Sequence, residues 1–138
     1  MMEFDDNKPI YLQLADQIMD EVERQEFDTG ERLLSVREYA AKTGVNANTV
    51  MRTYTSLQQE GIIYNKRGIG FFYEQDARQK VLMMRRQIFF EKEMPYFLER
   101  MFALGVTLQD FTYSYDSYLK KRRDKMYEEA KLKSKQNS

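Results

Sequence analysis

The chain has 138 residues, with 22 basic and 22 acidic side chains, 42% apolar residues and neither histidine nor cysteine, so one compact domain with an appendage is the ceiling. Without imidazole or thiol there is no thiolate nucleophile, histidine base, structural zinc site or disulfide framework, and an enzyme is not expected. No apolar run approaches the roughly 18 residues of a membrane span, and the acidic start Met1-Met2-Glu3-Phe4-Asp5-Asp6 is the reverse of a basic signal-peptide head, which points to the cytoplasm and away from the membrane.

In chain order, Asn7-Lys8-Pro9 precedes apolar residues at Ile10, Leu14, Ile18 and Val22. Their four-residue spacing predicts a helix from Pro9 to about Gln25. Phe27-Asp28-Thr29-Gly30 supplies turn chemistry and Arg32-Leu33-Leu34 a short extended stretch. Ser35-Val36-Arg37-Glu38 has the form of a capping box and starts a second helix, which Gly44 ends. Asn46 is a preferred N-cap for a third, Ala47 to Glu60, with Val50, Tyr54 and Leu57 on one face. Helix, short glycine-containing turn and helix make a helix-turn-helix signature, with Ala40, Val45, Val50 and Leu57 as the small core between its helices.

After Gly61, Ile62-Ile63-Tyr64 and Phe71-Phe72-Tyr73 flank Asn65-Lys66-Arg67-Gly68-Ile69-Gly70, a hairpin that reads as a wing. Gly68-Ile69-Gly70 is no phosphate loop, because an aromatic strand follows where such a loop would open a helix.

From about Ala77 the chain is helical again, with stripes at Val81, Met84 and Ile88, then at Met94, Phe97, Leu98, Met101 and Leu104. Pro95 between them should kink or break the helix. After Gly105, Thr107-Leu108-Gln109-Asp110 resembles another capping box, and Leu108, Phe111, Tyr115, Tyr118, Leu119 and Met126 predict an amphipathic helix to about Lys131, leaving a disordered tail over 133–138. An antiparallel pair of such helices leaves one apolar face of each uncovered, so a second copy of the chain is the expected partner. The domains expected are a winged helix-turn-helix head over 1–76 and a helical dimerisation region over 77–132, in a mainly α fold with a small β-wing.

Charge is distributed unevenly along these elements. Residues 1–31 carry ten acids and two bases, whereas residues 32–68 carry six bases and two acids. A basic segment coinciding with the helix-turn-helix and wing is the electrostatic footprint of a nucleic-acid binder.

The stretch from Pro9-Ile10-Tyr11 to Tyr73 resembles the winged-helix head of the GntR family of bacterial transcription regulators. Four motifs carry the likeness: Pro-Ile-Tyr-x-Gln-x-x-x-Gln-Ile at 9–18, the segment Gly30 to Ala40, Gly44-Val45-Asn46-Ala47-Asn48-Thr49-Val50-Met51-Arg52-Thr53-Tyr54, and Glu60-Gly61-Ile62-Ile63 with Lys66 to Gly70. The form of the third motif and the short helical C-terminal region are similar to the YtrA-like subfamily, whose members dimerise through short tails. Three positions depart from the family: Leu34 and Ala47 replace usual prolines, and Phe71 replaces the usual wing threonine.

The resemblance implies a cytoplasmic, sequence-specific regulator of transcription, a homodimeric repressor that binds an inverted repeat in double-stranded DNA. Arg37 stands where the family places an arginine that reaches DNA. Asn46, Asn48 and Thr49 open the recognition helix, where asparagine can pair with adenine and threonine can meet phosphate or a thymine methyl. Arg32 and Arg52 are expected on phosphates, and Lys66 and Arg67 on phosphates or in the adjacent minor groove, with Gly68 allowing close approach of the wing backbone. The acidic first helix is expected to face away from the duplex. No cofactor or metal is expected, and nothing identifies a small-molecule effector. The alternative reading is a winged-helix protein-interaction module without DNA binding.

Overall fold

The computed structural model describes residues 7–28 and 30–137; the acidic start at 1–6, Thr29 of the expected turn, and Ser138 lie outside them. The chain divides into two compact units, Met1–Ile88 and Phe89–Ser138.

In the first unit, Pro9 presets the backbone for helix α1, Ile10–Glu23, which buries Leu14, Ala15, Ile18 and Val22 along one face. Gln25 adopts a left-handed φ of 58° just beyond it. Helix α2, Val36–Thr43, opens with both halves of the expected capping box. The Glu38 amide donates to Ser35 Oγ at 3.1 Å and the Ser35 amide donates to Glu38 Oε1 at 2.9 Å. It closes at Gly44, whose φ of 72° lies in the left-handed region. Helix α3, Ala47–Gln59, begins at Asn46, whose Oδ1 accepts from the Asn48 amide at 2.8 Å.

Strands β1, Ile63–Lys66, and β2, Gly70–Tyr73, pair antiparallel with Ile63 opposite Tyr73 and Lys66 opposite Gly70. The Ile69 amide closes the tip on the Lys66 carbonyl at 2.9 Å, with Gly68 at φ 79°, the left-handed value that a type II turn requires at its third residue. The stretch expected to be extended, Arg32-Leu33-Leu34, lines the other edge of β2. The Leu33 amide donates to the Phe71 carbonyl at 2.9 Å and the Tyr73 amide to the Glu31 carbonyl at 3.0 Å.

The core is broader than the small cluster expected between the helix-turn-helix pair. Val50 and Leu57 are buried as predicted, whereas Ala40 and Val45 are only partly covered. The weight falls on the face of α1, on Tyr54 of α3, on Ile62, Ile63 and Tyr73, and on the helix that follows the wing. That helix, α4, Ala77–Ile88, buries Ala77 and Val81 in the same cluster. Arg85 of α4 pairs with Asp20 at 2.7 Å and Glu23 at 3.3 Å, and donates to the Asp16 carbonyl at 3.1 Å. The compact head therefore extends through Ile88 rather than closing at residue 76, because α4 completes the packing of α1.

The second unit opens with a π-helical segment, Phe89–Glu93, followed by α5, Met94–Leu104. Pro95 has no amide hydrogen with which to return to the carbonyl one turn earlier, and the wide π turn just before it is the form the expected interruption takes. Gly105, at φ 69°, ends α5. Thr107 and Asp110 cap α6, Leu108–Gln136, in a reciprocal box. Helix α6 runs beyond Lys131 and takes in most of the stretch expected to be disordered. Its last turns, rich in Lys, Glu and Gln, have good helix propensity and carry lysines where the helix dipole favours them.

Helices α5 and α6 do not pack along one another as an antiparallel pair. Neither buries a single residue, and Phe102 and Leu108 are 91% and 76% exposed. Among the described residues, no helix is long and apolar enough to cross a membrane.

Candidate nucleic-acid interface

Helix α3 separates its residues cleanly by face. Val50, Thr53, Tyr54 and Leu57 are buried, while Asn48, Met51, Arg52, Thr55 and Gln59 are exposed. The exposed set recurs at three- and four-residue intervals, which makes it one continuous stripe. Three contacts hold the helix in place. Thr53 Oγ1 donates to the Tyr11 carbonyl of α1 at 2.9 Å, and Tyr54 donates its hydroxyl to the Leu34 carbonyl at 2.6 Å. The Tyr54 ring meets Phe71 of the wing edge-on, with centroids 5.0 Å apart. The buried hydroxyls of Tyr39 and Tyr54 lose their hydration as anions, and burial pushes Tyr39 up to about 12. Both therefore stay neutral at physiological pH.

The expected site residues fall on three elements of this head. Asn46 is exposed but its carbonyl oxygen is committed to the N-cap, leaving its amide NH2 for other partners. Asn48 is exposed with its side chain uncommitted among the described residues, and Thr49, one position on, is half-buried. Arg52 lies over the Tyr11 ring, its guanidinium carbon 4.0 Å from the centroid. Arg37 is exposed on α2. The neighbouring Glu38 carboxylate is occupied by Ser35, whose amide and hydroxyl hold it below the usual carboxylate range.

Lys66, Arg67 and Gly68 form the exposed tip of the wing, with Lys66 Nζ 5.1 Å from the Phe72 ring centroid. Arg32 lies against the wing near its tip: a Cβ added to Gly70, which pairs with Lys66, would come within 2.9 Å of its Nε. The glycine thus makes room for the arginine. Chemically, the ensemble offers amide groups and a methionine thioether on a helix stripe, with guanidinium and ammonium groups around it. That is the mixture of base-edge and phosphate partners used in groove recognition.

Two features escaped sequence reasoning. Met51 shares the exposed stripe, and its spacing of three from Asn48 is the signal that would have found it. Tyr11 also contributes, and only its place in the first turn of α1 hinted at it. Each of the three departures from the family pattern has its own local reason. Phe71 is half-buried against Tyr54, replacing a surface hydroxyl by a brace between wing and α3. At position 34 it is the backbone carbonyl that matters, which leucine supplies as well as proline. Ala47 occupies the first position of α3, where alanine is an excellent helix former.

Residues 10–72 match the family described as bacterial regulatory proteins, gntR family. The chain is 37% identical over 108 residues to the HTH-type transcriptional regulator YhcF of Bacillus subtilis, a likeness spanning 78% of this chain and 88% of that one. It is 34% identical over 85 residues to the HTH-type transcriptional repressor YtrA of the same organism, covering 58% and 65% of the two chains. Among solved structures, a GntR-family regulator from Bacteroides thetaiotaomicron aligns at TM-score 0.72 and 39% identity, over 82% of this chain and 99% of that one. With the winged head built as described and these likenesses in hand, the chain belongs to the GntR family of DNA-binding bacterial transcription regulators, which are not enzymes.

Proposed function

We propose that the protein acts as a homodimeric repressor of the YtrA-like kind, binding an inverted-repeat operator on the bacterial chromosome and hence working in the cytoplasm. The observation that carries this reading is the exposed stripe of α3 beside a basic wing, in a chain whose last two helices bury none of their residues and leave most of their large apolar side chains exposed. Arg37, Asn48 and the free amide of Asn46 discriminate bases. Thr49, Arg32, Arg52, Lys66 and Arg67 engage the sugar-phosphate backbone, with the Gly68 backbone close to it, and the acidic face of α1 is turned from the duplex. The likeness to a named repressor supports the sign of regulation.

The burial pattern supports dimerisation. Phe97, Leu98, Phe111, Tyr115 and Leu119 are between 39% and 55% exposed, and a second copy is the simplest cover for such a stripe. Two heads joined by a two-fold axis read two half-sites related by the same symmetry.

Fluorescence anisotropy with the DNA upstream of the protein's own gene, against a scrambled duplex at about 50 and 200 mM salt, tests the reading. Tight binding to the upstream duplex alone, weakening with salt, together with a dimer mass by light scattering, is the expected result. Equal binding to both duplexes would remove the claim of specificity for that site. No binding at low salt would favour a protein-interaction role for the same face.

A further inference from the structure

We propose that Tyr11 is a positioning residue for DNA binding, holding the Arg52 guanidinium in place for a backbone phosphate. The inference rests on the DNA-binding reading of the α3 stripe and deepens it by adding a residue from a different helix.

Arg52 is the one basic residue of α3. It stands one turn after Asn48, on the same exposed stripe. An exposed arginine ordinarily samples many rotamers, and fixing them on binding costs affinity. Here the guanidinium carbon lies over the Tyr11 ring at 4.0 Å, well inside the range of a cation–π contact. A guanidinium that rests on a ring keeps its N–H donors in its own plane, available to a phosphate fork. Among the described residues, Arg52 has no carboxylate partner, so its charge is not already neutralised.

Tyr11 is itself fixed against the same turn of α3. Its carbonyl accepts from Thr53 Oγ1 at 2.9 Å, and Thr53, the residue next to Arg52, is completely buried. Leu14 and Ala15, on the adjoining turn of α1, are buried in the core. The ring therefore stands on a platform with little freedom of its own. A tyrosine placed for core packing alone would not be only half-buried with an arginine over its face.

The phosphate contact is independent of sequence, so a mixed-sequence duplex at about 50 mM salt is a sufficient probe. Anisotropy would compare the parent protein with Tyr11→Phe, Tyr11→Leu, Arg52→Ala and the Tyr11→Leu/Arg52→Ala pair. Tyr11→Phe keeps the ring face and should bind within about twofold of the parent, whereas Tyr11→Leu should weaken binding about three- to fivefold. Arg52→Ala should weaken binding further and lower the slope of log affinity against log salt by about 0.9. The pair should be no weaker than Arg52→Ala alone.

Equal affinities for the parent and Tyr11→Leu, or losses that simply add in the pair, would overturn the proposal while leaving DNA binding intact. A parent protein that binds no duplex at low salt would overturn the underlying reading and this proposal with it. One measurement needs no variant. The Arg52 side-chain resonances should be shifted upfield by the Tyr11 ring current and should move when duplex is added; unshifted resonances would defeat the stacking itself.

Discussion

The Tyr54 hydroxyl and the Leu34 carbonyl are 2.6 Å apart, and this hydrogen bond ties the middle of α3 to the chain just before α2. The same ring braces Phe71 of the wing. One side chain thus ties α3 both to the chain before α2 and to the wing. Tyr54→Phe keeps the ring and leaves the Leu34 carbonyl without this donor, so the head should lose about 1 to 2 kcal/mol of stability in urea unfolding. A loss well below that range would show that water replaces the hydroxyl at no cost.

The α2 capping box gives a dependence on pH with a definite sign. Hydrogen bonds from Ser35 hold the Glu38 carboxyl below its ordinary value of 4.5. A depressed folded-state value means that the stabilisation is complete above about pH 4.5 and is lost as pH falls through the folded value. Thermal melts of the parent and Glu38→Gln, followed from neutral pH to about pH 3, should converge toward the acid end. A gap that stays constant across the range would show that the charge of Glu38 contributes nothing to the cap.

Gly70 combines a φ of 144° with the Arg32 side chain against its α-carbon. Gly70→Ala should therefore cost about 1 to 3 kcal/mol through backbone strain, and should also displace Arg32. Gly68→Ala meets open space and carries only the left-handed penalty. Chemical denaturation of both variants checks the order, and Gly70→Ala should be the less stable.

Asn48 and Lys66 should fail in different ways. Asn48→Ala should cost roughly 1 to 3 kcal/mol on the operator and relax the preference at one base position. Lys66→Ala should weaken all duplexes alike and flatten the salt dependence by about one contact. Competition with single-base operator variants separates the two. An Asn48→Ala protein that bound its operator like the parent would move the base-reading role elsewhere on the stripe.

Local chemistry is the part of this fold that the sequence spells out. The boxes at Ser35-Glu38 and Thr107-Asp110, the Asn46 cap, the stops at Gly44 and Gly105 and the hairpin around Gly68 all depend on residues within a few positions of one another. What depends on distant partners was not legible. That α4 closes the head is decided by Val81 entering the α1 cluster and by Arg85 reaching Asp20 and Glu23, some sixty residues back. Phe71 looks from sequence like a lost wing hydroxyl, and only Tyr54 opposite it shows what the ring does. The expectation of two antiparallel tail helices failed for a related reason. Periodicity identifies an apolar stripe, and nothing in it says which surface will cover that stripe.

The place of α4 has a consequence for anyone who treats the protein as modular. A head cut after the wing would lose Ala77 and Val81, leaving their socket on α1 open to water and the carboxylates of Asp20 and Glu23 without Arg85. Such a fragment would be a poor stand-in for the DNA-reading half in any chimera. A graft joined after Ile88 carries its own structural closure, and there whatever segment follows can be exchanged for another without reopening the core.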